Sequence, residues 1–377
     1  MNNDFNPFAL NSYFGNEYFC DRENEIKTLL LNIKNRNSTT LISQRRMGKT
    51  SLIQHLFHNL PPKHIAISLD IFATNSRADL LNNLTTAVAT TVPEDSTIGK
   101  KIWKFIKSLQ PNIGFDPLTG APSVSFKLSQ QDNDTYIESV FNFLESQPQK
   151  IVIAIDEFQQ ILQYPEPNTD VWLRTFIQKL NNVVFIFSGS QTHLMSDIFT
   201  NPKRAFYRST QFINLQKIDS NIYSKFIKKL FKKEKRKISQ DIINQILEWA
   251  HGHTYYVQAV CASLFDMKIA EITEEDLRRA KLNILNAEQS FFLKYRNLLS
   301  TKQWNLLKAI AIESRLEKPT SAAFISEYKL GSSAVVLRAI DALIKKDMIY
   351  SDYHTDGTKY FAVIDVFFER WAQWKNI

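Results

Sequence analysis

Three adjacent residues, Gly48, Lys49 and Thr50, and two adjacent carboxylates, Asp156 and Glu157, are the parts of this sequence best suited to chemistry. Gly48 would let backbone N–H groups come close to a phosphate at a helix N-terminus. Lys49 would sit on the β- and γ-phosphates of a nucleotide, and the Thr50 hydroxyl would complete a Mg2+ shell. Asp156 would hold the same Mg2+, and Glu157 would polarise the attacking water. Arg45, Arg46, Met47 and Ser51 belong to the same cofactor-binding loop.

The flanking residues supply the elements that must position these groups. Thr39 to Ile42 is an apolar stretch, and Ser51 to Phe57 continues as a helix, so the loop sits between strand and helix. The pattern G-x-x-x-x-G-K-[ST] is met at Gly48, Lys49 and Thr50, with Ser43 in place of its first glycine. Ile151 to Ile155 is a continuous apolar run, the mark of a strand buried on both faces of a parallel sheet, and it ends at the two acids. Ligands bind at that end of such sheets. A Walker A-type loop paired with a Walker B-type strand points to a P-loop NTPase with ATP or ADP and Mg2+ as cofactors. Val183 to Ser190 reads as a further buried strand, and a hydroxyl at its end, Ser190, would register the γ-phosphate. Arg208 or Arg204 would serve as an arginine finger.

Length and composition agree with this reading. A chain of 377 residues accommodates two or three domains. No stretch approaches the ~20 apolar residues that span a bilayer, and the first residues show no secretion signal. Two distant cysteines, Cys20 and Cys261, form neither a metal spacing nor a disulfide framework, so a reducing cytoplasm is expected. The net charge is +8, and residues 225–237 carry eight Lys/Arg against Glu234, which is +7. Ile222, Tyr223, Phe226, Ile227, Leu230 and Phe231 recur there at helical spacing. The run is an amphipathic helix with a lysine face, either simply solvated or in contact with nucleic acid or an acidic partner.

Taken in order, Asp21 is the expected N-cap of a helix through Leu29, Leu30 and Ile33, and the segment before it would line the adenine pocket. Residues 93–133 form a polar insertion broken by prolines, helical only over Gly99 to Leu109. Beyond residue 215 the pattern is helical, with Thr273 and Asp276 as a capping box. Residues 286–377 read as three helices followed by a hairpin of Met348–Asp352 with Lys359–Val363, which is winged-helix order. Residues 288–377 hold thirteen Lys/Arg and ten Asp/Glu, a net of +3. The helix in the recognition position carries only Arg338, Lys345 and Lys346, so a protein contact or an intramolecular switch is expected there ahead of DNA.

This ordered series resembles the archaeal-type ATPases grouped with the STAND branch of AAA+ proteins. The resemblance rests on Phe19 to Glu23, Arg45 to Leu52, Ile155 to Gln159, Ser188 to Gln191, Phe206 to Arg208 and Gly252 to Gln258. It covers nearly the whole chain. It implies an AAA+-like α/β core with a parallel sheet over 1–215, a helical lid over 216–285 and a winged-helix domain over 286–377. It also implies nucleotide contacts by Arg22 and His253. Three positions depart from the family pattern: Ser43, Asp21 where glycine is usual, and Thr254 where proline is usual. Two functions follow from these readings. One is a slow Mg2+-dependent ATPase working as a regulatory switch; the other is a DNA-bound ATPase of origin-recognition or mobile-element type. A nucleotide-binding relic without turnover is the third.

Overall fold

The computed structural model describes residues 5–8, 10, 13–92, 94–115, 122–125 and 130–375, with the backbone alone for 130–133. Its strands are β1 (Thr39–Ile42), β2 (His64–Asp70), β3 (Asn112–Phe115), β4 (Pro122–Ser125), β5 (Lys150–Asp156), β6 (Val183–Gly189), β7 (Gln211–Asn214), β8 (Ile349–Tyr353) and β9 (Lys359–Val363). Five of them form one parallel sheet in the order β2-β5-β6-β1-β7. β6 therefore lies between the strand that feeds the Gly48 loop and the strand that ends at Asp156.

Side chains alternate across a strand, and both faces of this sheet are covered. Ile151, Ile153 and Ile155 of β5, with Val183, Phe185 and Phe187 of β6, face the larger core with the helices Arg77–Thr90, Thr97–Ser108 and Thr192–Thr200. Val152, Ala154, Val184 and Ile186 face the smaller one, shared with the helices Glu23–Lys34 and Lys49–His58. Apolar residues at successive positions are what a doubly covered strand requires.

Phe158, Phe187, Phe199 and Phe206 form a cluster whose ring centroids lie 4.4–5.7 Å apart. All four are at most 1% exposed. Burying each ring contributes about 2 kcal/mol. Phe158 lies between Glu157 and Gln159, so this cluster anchors the turn that carries both polar side chains.

The chain divides into two compact units, one of Gly15–Gln216 and the other of the described residues before Gly15 and after Gln216. In the second, Phe8 is buried with its ring 5.4 Å from Phe231 and 6.0 Å from Phe265. Helices Ser220–Lys233, Gln240–Trp249, Thr254–Asp266 and Glu274–Leu298 precede Thr301–Glu313, Ala322–Glu327, Ser333–Lys345, the β8–β9 hairpin and Val366–Lys375. The expected capping box of Thr273 and Asp276 forms. Gly357, at φ 84°, turns the hairpin where Asp356-Gly357 signals it. The 25-residue helix Glu274–Leu298 runs through residue 285 without a break.

Local expectations differ from the structure at two places. Besides the helix Thr97–Ser108, the proline-broken insertion contains a strand pair: β3 and β4 pair antiparallel, and the Thr86 hydroxyl exchanges hydrogen bonds with the Val124 backbone. Asp21 is not an N-cap. The helix starts at Glu23, Arg22 holds the cap position without a side-chain cap, and Asp21 and Arg22 both adopt positive φ, 62° and 82°. Asp tolerates that left-handed region better than most residues, which accounts for its standing where glycine is usual.

Candidate functional site

β1 and the helix Lys49–His58 hold the loop between them. Gly48 adopts φ 95° and Arg46 φ 63°. Ser43 is buried with ordinary negative φ, so the backbone at the first loop position does not call for glycine. Its hydroxyl donates to Gln44 O at 2.9 Å and accepts from Lys49 Nζ at 3.3 Å. Lys49 is 6% exposed and also donates to Ser43 O at 3.2 Å and Gln44 O at 3.3 Å. Burial lowers the pKa of this ammonium, Glu157 and Asp156 pull it back up, and Arg45 lowers it further. Desolvation penalises the charged form of Lys49, and the two carboxylates offset part of that penalty.

A hydrogen bond joins the two halves of the site directly. Thr50, on the first turn of the helix, donates through Oγ1 to Asp156 Oδ2 at 2.7 Å. The other Asp156 oxygen accepts from Ser188 Oγ at 2.6 Å and from the Glu157 N–H at 3.0 Å. Glu157 sits at φ 54°, ψ 41°, a left-handed conformation that costs a non-glycine residue about 1 kcal/mol and that gathers at functional sites. Its Oε2 accepts from Gln159 Nε2 at 2.5 Å and Ser190 Oγ at 2.9 Å, and Ser190 Oγ also accepts from Arg45 Nε at 3.4 Å.

Lys49, Thr50, Asp156, Glu157, Ser190 and Arg45 thus come together at the ends of β1, β5 and β6. Met47 is buried in the smaller core. Two participants escape the sequence patterns, Ser188 as a partner of Asp156 and Gln159 as a partner of Glu157. Their signal was available in part: Ser188 ends a buried strand, and a buried glutamine two residues after a carboxylate needs a polar partner.

Other sequence candidates are placed differently. Arg22 is 5% exposed and tied by NH1 to Glu25 at 3.0 Å and by NH2 to Gln216 O at 2.7 Å. Phe19 stacks on His55, 4.0 Å between centroids, which joins the leading segment to the loop helix. Arg204 is paired with Asp197 at 2.7 Å, whereas Arg208 is exposed with its guanidinium 5.3 Å from the Tyr207 ring. His253 belongs to the other unit, where it is buried at the N-cap of the helix Thr254–Asp266. Thr254 takes the first helical position, one that proline favours but does not require.

A family model described as "ATPase domain predominantly from Archaea" matches residues 19–260, well over half of the chain. The chain belongs to that ATPase family. A second model, described as "Probable winged helix domain", matches residues 290–374 of this ATPase. Solved structures share the fold at low identity. A Walker-type ATPase of Pyrococcus abyssi superposes with TM-score 0.68 at 18% identity, over 97% of this chain and 99% of that one. The Aeropyrum pernix ORC2 protein, in its ADPNP–ADP complexes, gives 0.61 at 11%, over 99% of each chain. The Aeropyrum pernix ORC1 protein in complex with DNA gives 0.53 at 13%, over 98% of this chain and 96% of that one. None of the curated proteins matches this ATPase. The fold is thus a P-loop ATPase core followed by a C-terminal winged helix. No helix among the described residues is long and apolar enough to cross a membrane.

Proposed function

We propose that this chain binds ATP with Mg2+ at the loop 43–50, hydrolyses it slowly, and uses the nucleotide state as a regulatory switch. The observation that carries the reading is the Thr50–Asp156 hydrogen bond of 2.7 Å, which brings a hydroxyl and a carboxylate together beside the buried Lys49. Two hard oxygen donors suit Mg2+, which takes its remaining ligands from phosphates and water. The ion supplies charge neutralisation on the phosphates when bound. Lys49 and the loop amides, with Arg45, Arg46, Met47, Gly48 and Ser51, hold the phosphates. Glu157 orients the water, Ser190 senses the γ-phosphate, and Arg208 is kept as the finger because Arg204 is already paired. Arg22 acts from the leading segment, and His253 keeps the nucleotide role that its motif implies. The domain limits proposed are 1–215, 216–285 and 286–377.

Single-turnover and steady-state hydrolysis of ATP with Mg2+ tests this. Wild type is expected to turn over slowly, Glu157→Gln to bind without turnover, and Lys49→Ala to lose binding. Hydrolysis by Glu157→Gln at the wild-type rate would overturn the assignment.

A second reading is favoured by one feature. Lys225, Lys228, Lys229, Lys232, Lys235 and Lys237 are all exposed, while Tyr223, Ile227, Leu230 and Phe231 are buried. Such a ridge of lysines suits phosphate backbone contacts without base readout. By contrast, the exposed face of the helix Ser333–Lys345 presents Leu337, Arg338, Asp341 and Lys345, a thin net positive charge, and the exposed hairpin residues Asp352 and Asp356 outnumber Lys359. If DNA is bound, the lysine ridge rather than the winged helix makes the main contact, and a protein partner suits the winged helix better.

A further inference from the structure

The Glu157 carboxylate is held from one side only. Its Oε2 accepts from Gln159 Nε2 at 2.5 Å, from Ser190 Oγ at 2.9 Å and from the Ser190 N–H at 3.4 Å, and no donor among the described residues reaches Oε1. Gln159 is 5% exposed, on the turn Phe158–Gln163 that the aromatic cluster anchors. Its amide lies so close to β6 that a Cβ on Gly189 would fall 2.2 Å from Gln159 Oε1. Gly189 itself does not adopt positive φ, so this glycine is needed for the space that the Gln159 amide and the buried Met195 side chain, 2.7 Å from such a Cβ, fill and not for its backbone freedom.

We propose that Gln159 is a positioning residue for Glu157, an inference that rests on the water-orienting role given to Glu157 above. Gln159 and Ser190 together engage Oε2, which fixes the carboxylate plane and leaves Oε1 to take the proton. In the step concerned, the water oxygen bonds to the γ-phosphorus and the bond from that phosphorus to the β–γ bridging oxygen breaks. The electron pair leaves with ADP, and the water proton goes to Glu157 Oε1. The terminal torsion of a glutamate is broad and roughly two-fold. Without the amide donor the carboxylate therefore spends less time in the productive orientation.

The test is ATP hydrolysis by the full chain at saturating Mg2+ and ATP. Gln159→Leu is expected to lower kcat by about 10-fold or more, a part of what a general base supplies. Its nucleotide affinity and thermal midpoint should stay near those of wild type. Gly189→Ala, whose Cβ crowds both the amide and the buried Met195 side chain, is expected to lower kcat as well, together with a lower thermal midpoint from the Met195 side. Gln159→Glu supplies the decisive profile, because a carboxylic acid donates a hydrogen bond only when protonated. That variant should be slow at pH 8 and regain activity relative to wild type as the pH falls.

Wild-type kcat in Gln159→Leu, alongside an inactive Glu157→Gln, would overturn the positioning role and leave the proposed function standing. Equal losses of affinity and kcat, or no relative recovery of Gln159→Glu at low pH, would reduce Gln159 to a packing residue. Wild-type hydrolysis by Glu157→Gln would remove the underlying reading instead.

Discussion

The unit Gly15–Gln216 and the remainder of the chain treat polar groups in opposite ways. Among the described residues, the first buries thirteen polar or charged side chains, and the second buries three, Ser224, His253 and Glu369. Five of the thirteen, Ser43, Lys49, Gln159, Ser188 and Ser190, stand at the ends of β1, β5 and β6, where Lys49 is bonded to Ser43, Ser188 to Asp156, and Gln159 and Ser190 to Glu157, at 2.5–3.3 Å. The second unit keeps its densest charge, the lysine ridge, exposed. Burying a polar group is costly unless it is bonded, so a cluster of buried, mutually bonded groups marks chemistry. Exposed charges carry little such cost and act at a distance that salt shortens. The first region should respond to single-atom changes, and the second to ionic strength.

The largest effect is expected at the joint of the two site halves. Thr50→Ala combined with Asp156→Asn is expected to weaken Mg2+-dependent ATP binding by at least about 100-fold, read by calorimetry with and without Mg2+. A change of under about 3-fold would show that the 2.7 Å contact serves packing alone.

The lysine ridge should fail in a different manner. Replacing Lys225, Lys228, Lys229 and Lys232 by Glu is expected to weaken duplex DNA binding at low salt by about 10-fold or more, with DNA-free ATP hydrolysis unchanged. Wild-type binding should fall with salt at a log–log slope near −4 if about four phosphates are neutralised. A slope near zero would return the ridge to a merely solvated surface.

One thiol in each unit gives a smaller contrast. Burial raises the Cys20 thiol from 9.0 to about 12, with Asp21 adding to it, and raises Cys261 by burial alone. Well below pH 9 both are mostly protonated whether the chain is folded or not, although the unfolded chain keeps a reactive thiolate fraction near pH 8. Above it the unfolded chain sheds its protons first, so each thiol costs stability progressively as pH rises, Cys20 up to about pH 12. The slope approaches about 1.4 kcal/mol per pH unit for each. Native protein at pH 8 should therefore react slowly with a thiol reagent, and denatured protein rapidly. Fast labelling of native protein would contradict the burial of both.

Ser43→Gly should have the smallest effect. Ser43 has negative φ, and its hydroxyl adds one bond to Lys49. The substitution should change nucleotide affinity by under about 3-fold and cost about 1 kcal/mol of stability. A large gain in affinity would mean that the Ser43 hydroxyl competes with phosphate for Lys49.

Much of the unit 15–216 could be read from residue order, because its determinants are local. Strand β5 is legible because both faces are covered and its apolar residues run without interruption, and the loop because Gly48, Lys49 and Thr50 are contiguous. The edge strand β7 and the pair β3–β4 were not legible. Four-residue strands carry too few side chains for a pattern, and pairing partners, not propensity, define them. The helix Val366–Lys375 is similar, since its burying partners, Phe292 and Trp304, lie far back in the chain.

Residue order alone specifies the Gly48 loop, the acid-ended strand, the lysine face and the winged-helix order, all of which are periodic or contiguous signals. Which oxygen each donor reaches depends on the assembled fold. Strand order placed β6 between β1 and β5, and that placement brought Ser188 to Asp156 and Ser190 to Glu157. Likewise, packing beneath Phe158 set the turn that aims Gln159 at Glu157. Such contacts join residues distant in the chain through a shared core, and no local pattern encodes the register that makes them.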